Sequence, residues 1–148
     1  MSVPHATLQK FGYPASRIVE FTHWAVLLRP QQVTLASLVL VNRGEERNLA
    51  ALPEAAFAEL HRATQAIEHG LRAFRPFERI NYLALMMVDP HVHFHVIPRY
   101  STTQPFEGVA FMDAGWPGAP DLKQPTPCPE PVMKSLQAAL MDAFAKAR

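Results

Sequence analysis

Residues 91–98 read His-Val-His-Phe-His-Val-Ile-Pro, with histidine at every second place and apolar residues between. In a β-strand successive side chains point to opposite faces, so His91, His93 and His95 share one surface while Val92, Phe94 and Val96 bury the other. Folding alone does not call for three imidazoles in register. Two chemistries suit them. Two of the rings could bind a metal, since neutral imidazole is a common ligand. All three on one ion is awkward, because at ~3.3 Å per residue the outer Cα atoms stand about 13 Å apart. No cysteine or acidic cluster nearby offers a further ligand, and neither metal nor cofactor is assigned. The other chemistry is phosphoryl transfer. A central imidazole attacks phosphorus while its neighbours hydrogen-bond the equatorial oxygens and the leaving group. An ordinary imidazole, with a pKa near ~6.5, is largely unprotonated at neutral pH, as a nucleophile must be.

The elements that must position this strand follow from pattern. Arg17–Phe21 and Trp24–Leu28 are β-rich runs joined at Thr22-His23, where His23 reads as a turn residue. Ser37–Val41 is a nearly unbroken apolar run and reads as a central strand. From Pro53 the period changes: Phe57, Leu60, Thr64, Ile67, Leu71 and Phe74 predict an amphipathic helix ended by Pro76, with His61 and His69 on its solvated side. Ile80–Val88 is strand-like, and Asp89-Pro90 can turn it into the histidine strand as a hairpin, with Pro90 and Pro98 bracketing that strand. Seven of the 14 prolines fall between Pro105 and Pro131, which predicts a long ordered loop with a short strand at Val109–Met112. In that loop Trp116 reads as a packing anchor. Val132, Leu136, Leu140 and Phe144 then form the stripe of a last helix. Strands mostly in the first half and two separate helices predict an α+β fold with a mainly antiparallel sheet.

At 148 residues the chain suits one domain. Its 49% hydrophobic and 18% charged residues are those of a soluble protein, and a net charge of +1 gives no global pull toward nucleic acid or membrane. The lone Cys128 excludes an internal disulfide. The start, Met-Ser-Val-Pro-His, lacks the layout of a secretion signal, and no apolar run approaches the ~20 residues of a membrane span. The expectation is a cytoplasmic protein.

His91-Val92-His93-Phe94-His95-Val96-Ile97, followed by Pro98-Arg99, closely resembles the signature of the histidine triad (HIT) superfamily of nucleotide hydrolases and transferases. A short hairpin, the Ser37–Val41 strand, a long helix and a further strand precede it in that family's usual order. The resemblance spans roughly residues 17–100. It implies one HIT-like domain over 1–148, with an N-terminal extension (1–16), a proline-rich loop (101–129) and a C-terminal helix (130–147) around a five-stranded antiparallel sheet. It also implies a homodimer, with the 53–75 helix at the interface. The implied partner is a small nucleotide: action at the α-phosphate of dinucleoside polyphosphates or nucleoside phosphoramidates, as in bacterial diadenosine polyphosphate hydrolase-like members. Carried over, His93 is the nucleophile that forms a nucleotidyl intermediate, and His91 and His95 orient it and bind phosphate oxygens. Ile18 and Phe21 occupy the region of the family's nucleoside pocket, and Arg99 could reach a phosphate. Three features depart from the pattern. Ala36-Ser37 stands where many members have Gly-His, and Arg29 where a ribose-binding Asn is common. Met87-Val88-Asp89-Pro90 runs into His91 without a Gly- and Gln- or Ser-rich phosphate loop. The alternative implied by these departures is a catalytically weak or inactive nucleotide-binding dimer.

Overall fold

The apolar runs pair as five antiparallel strands: β1 (Arg17–Glu20), β2 (Trp24–Leu28), β3 (Leu38–Asn42), β4 (Arg79–Leu83) and β5 (His93–Arg99). Their spatial order is β1-β2-β3-β5-β4. The computed structural model describes residues 3–148; Met1 and Ser2, at the start of the N-terminal extension, lie outside the described residues. Three helices complete the α+β domain: α1 (Ala6–Lys10), α2 (Glu54–Phe74) and α3 (Glu130–Lys146).

Side-chain alternation divides the sheet into two faces. Trp24, Val26, Leu28, Leu38, Leu40 and Val96 join α2 and α3 in the larger core, with Phe94 packed against it. Ala25, Leu27, Val39 and Val41 point the other way, onto Leu8 and Phe11 of the N-terminal segment. Because β2 and β3 are covered on both faces, every residue of each is buried, which explains their unbroken apolar sequence.

The buried stripe of α2 keeps most of the positions its sequence suggests, with Leu60 and Phe74 partly buried against the core, and adds small residues. Ala56, Ala63, Ile67, Gly70 and Leu71 face inward, whereas Phe57 is 43% exposed. Small residues on the contact face let neighbours approach closely. Trp24 donates its indole N–H to the Ala56 carbonyl at 2.8 Å, and a Cβ on Gly70 would meet the Phe144 ring at 2.4 Å. Hydrophobicity scales undervalue such positions.

Two further boundaries differ from expectation. β4 ends at Leu83, so residues 84–92 form a long connection instead of a tight turn at Asp89-Pro90, and His91 and Val92 precede the regular strand. β5 also continues through Pro98. Its pairing with β3 ends at Val96, so beyond that point only the β4 side needs a ladder partner, and proline is tolerated.

The proline-rich stretch contains a small hairpin, β6 (Gln104–Phe106) and β7 (Val109–Phe111). Glu107 and Gly108, both at positive φ, turn it. Buried Arg99 anchors the segment that follows. Its guanidinium donates to both carboxylate oxygens of Asp113 at 2.5 and 3.0 Å and to Asn81 Oδ1 at 2.7 Å. Its charge also sits 5.9 Å from the centre of the Trp116 ring. Because both partners of the ion pair are buried, removing one strands the other. Asp113→Ala should lower stability by about 3–5 kcal/mol in urea unfolding; an unchanged midpoint would show that the pair anchors nothing.

Candidate active site

β5 brings His93 and His95 onto the face opposite the two long helices, their rings 5.0 Å apart and nearly perpendicular. His91 enters from the irregular approach to the strand. The three are 4%, 2% and 7% exposed for His91, His93 and His95, so each buried ring nitrogen needs a defined partner.

Those partners dictate where the protons sit. His93 Nδ1 lies 2.7 Å from the His91 carbonyl oxygen. A carbonyl only accepts, so Nδ1–H donates and Nε2 keeps its lone pair. His95 is the opposite tautomer: Arg29 Nε–H donates to its Nδ1 at 3.3 Å, which leaves the proton on Nε2. Burial first, then the nearby Arg29 charge and His93, push the His95 pKa down to about 4. In its neutral form the His93 ring therefore carries a lone pair on Nε2, beside a neutral N–H donor on His95. That is a nucleophile with an adjacent hydrogen-bond donor.

His91 is held on three sides. Its Nε2 lies 3.4 Å from the Glu45 carboxylate and its Nδ1 2.9 Å from the Thr7 hydroxyl. The ring of His5 stacks on it at 3.8 Å with planes 5° apart. His5 itself donates from Nε2 to the Asn42 carbonyl at 2.7 Å and accepts from the Leu8 N–H at 3.2 Å, capping α1. Burial lowers its pKa.

A cavity of about 220 Å³ opens onto His93 and His95, lined also by Lys10, Phe11, Arg29, Gln31 and residues 85–89. Arg29 thus belongs to the site. Ser37 sits on the same sheet face but is engaged elsewhere: its hydroxyl donates to the Thr34 carbonyl at 2.8 Å and accepts from the Thr34 N–H at 3.0 Å. Its neighbour Ala36 has φ +69°, a conformation that favours glycine, which accounts for glycine at the matching place of the family pattern. The Gln32 amide oxygen holds this turn by accepting from the Ala36 and Ser37 N–H groups. Arg99 shares the face of His95 but lies four residues along, about 13 Å away, and is consumed by Asp113. Ile18 and Phe21 face the helices and pack in the other core. Phe21 lines a separate cleft of about 440 Å³ with Val19, His69 and Phe144, which contains no triad residue.

His5, Thr7, Lys10 and Phe11 are the site residues that the sequence pattern did not single out. Five residues of helix are too few to establish a period, and their role depends on a fold-back onto residues more than 80 positions away. Among the described residues no group of three or more His, Cys, Asp or Glu side chains is arranged to hold a metal ion, and no helix is long and apolar enough to cross a membrane.

No protein-family model matches the sequence, and no curated protein sequence matches it either. Solved structures do match. A histidine triad protein from Marinobacter aquaeolei superposes with TM-score 0.74 at 25% identity, over 97% of this chain and 96% of its own. A histidine triad protein from Bradyrhizobium japonicum gives 0.73 at 22% identity, over 97% of each chain. A hypothetical histidine triad nucleotide-binding protein from Sulfolobus tokodaii gives 0.69 at 16%, over 88% and 84%. The fold is that of the histidine triad proteins.

The depressed His95 pKa has a consequence for stability. Between pH ~6.5 and about 4 the unfolded chain binds a proton at His95 that the native state refuses, so stability falls with pH across that window. From pH 7 to pH 5 the native protein should lose about 2 kcal/mol more than His95→Gln, which has no such proton to bind. Equal losses in urea titrations at the two pH values would contradict this.

Proposed function

We propose that the protein is a nucleotide-phosphate hydrolase or nucleotidyl transferase of the histidine triad type. It acts at the α-phosphate of dinucleoside polyphosphates or nucleoside phosphoramidates. The observation that carries this reading is the His93 Nδ1–H bond to the His91 carbonyl, which leaves Nε2 as the nitrogen free to act in the cavity that His93 and Arg29 line. In the first step His93 Nε2 forms a bond to the α-phosphorus. The bond from phosphorus to the leaving oxygen or amine breaks, and the departing group takes up a proton. Arg29 and the His95 Nε2–H supply donors where equatorial charge builds. In the second step water, or another acceptor, attacks the same phosphorus, the bond from phosphorus to Nε2 breaks, and the acceptor's proton passes to solvent, which returns His93 to its starting state.

A second reading is a nucleotide-binding protein with little or no catalysis. Burial of all three histidines and a cavity below the ~300 Å³ of ordinary small-ligand pockets favour it. Intact mass separates the two, since only an enzyme carries a transient nucleotidyl adduct after mixing with adenosine 5′-phosphoramidate. His93→Ala should abolish turnover and adduct together while nucleotide binding persists. His95→Ala should slow turnover by roughly 10²–10³, the usual loss for one charge-stabilising donor. Wild-type turnover in His93→Ala would refute the nucleophile assignment.

The same proposal includes a homodimer. β4 is an edge strand with one side of its backbone unpaired, and Phe57 on α2 leaves apolar surface exposed. Sedimentation at micromolar concentration should give twice the chain mass of 16.6 kDa; a monomer would reject the dimer.

A further inference from the structure

Two segments roof the triad, and one ion pair joins them. From the N-terminal side, His5 stacks on His91, Thr7 bonds to it, and Phe11 lies 5.7 Å from the His93 ring and 5.8 Å from that of His95. From the other side comes the connection 84–92, where Met86 is held at φ +45° and the Met87 and Val88 side chains are 84% and 83% exposed. A segment that turns two large apolar side chains to water has little packing to hold it down. Lys10 Nζ meets Asp89 Oδ1 at 2.9 Å and Oδ2 at 3.1 Å, and both residues line the cavity above His93.

The cavity of about 220 Å³ has room for a phosphate group but not for a whole nucleotide. Lys10, Arg29, His93 and His95 converge on it, and Asp89 is the only carboxylate in its lining. We propose that residues 85–89 form a substrate-gated lid: Lys10 exchanges the Asp89 carboxylate for a phosphate of the incoming nucleotide, and the roof parts to admit the nucleoside. This rests on the nucleotide reading above and adds Lys10 as a phosphate ligand of the same site. The exchange is electrostatically even, one anion replacing another on Lys10. Asp89 is released into solvent, where a carboxylate is well hydrated.

The test uses the full-length protein and two readouts. The first, independent of any nucleotide, is the rate at which diethyl pyrocarbonate modifies His93, followed by peptide mass spectrometry. The second is the affinity for AMP. Both Lys10→Met and Asp89→Asn break the latch, so each should raise the His93 modification rate by about two- to fivefold, the range expected for one partly exposed ion pair. AMP should distinguish them. Asp89→Asn frees Lys10 and should bind AMP more tightly than the wild type, whereas Lys10→Met loses the ligand and should bind more weakly. Phe11→Ala should raise the modification rate further, with melting temperature followed to show that the variant is folded. Unchanged modification rates in both latch variants would overturn the lid. Faster modification with equal AMP affinities in Lys10→Met and Asp89→Asn would overturn the exchange at Lys10. The expected modification rates, with no AMP binding to any form, would leave the lid supported and overturn the nucleotide reading instead.

Discussion

The site depends on one hydrogen bond, from His93 Nδ1–H to the carbonyl of His91 two residues earlier. It fixes the tautomer of the central ring and so decides which nitrogen can attack. The bond exists because β5 does not begin until His93. In a regular ladder the carbonyl of His91 would point toward a neighbouring strand. Here the long connection from β4 delivers residues 91 and 92 at an angle, tied to β3 through the Asn42 N–H to the Val92 carbonyl at 2.9 Å. The strand boundary that departs from the sequence expectation is thus the one that arms the site.

Burying three imidazoles against an apolar sheet face is costly unless every nitrogen is matched. Four of the six ring nitrogens are matched by a mixed set, a carbonyl for His93, a guanidinium for His95, and a hydroxyl and a carboxylate for His91, while no described residue partners the Nε2 atoms of His93 and His95. His95 responds to its surroundings by staying neutral, so the site can keep Arg29 close without two cations repelling one another. Arg29 in turn stands where an asparagine is common in the resembled family, and the substitution places a fixed positive charge at a position that otherwise offers an amide. A site organised around that charge is suited to a phosphate more than to a ribose hydroxyl.

The sheet, the long helix and the triad were legible in the sequence because each is a strong periodic signal: alternation in His91–Val96, an unbroken apolar run in β3, three- and four-residue spacing in α2. What was illegible has physical causes. Ile18 and Phe21 suggest a nucleoside pocket only by position along the chain, which does not encode that both pack in the core shared with α2 and α3. Arg99 looked free to meet phosphate, but Asp113, fourteen residues on, claims it across a loop whose path no local pattern encodes. Ala56, Ala63 and Gly70 carry the buried face of α2 through close approach, not hydrophobic bulk. The contacts of the N-terminal segment with His91 and His93 are not encoded locally, because α1 spans only five residues and reaches more than 80 positions along the chain.

The most direct test of the account is the protonation pattern of the imidazole nitrogens themselves. Long-range proton–nitrogen correlation spectra of histidine-labelled protein, at a pH where the rings are neutral, distinguish the two tautomers at each site. The account predicts that His93 carries its proton on Nδ1, leaving Nε2 bare, and that His95 carries its proton on Nε2. A spectrum with His93 protonated on Nε2 would contradict it, because the nitrogen aimed at the phosphate would have no lone pair to give.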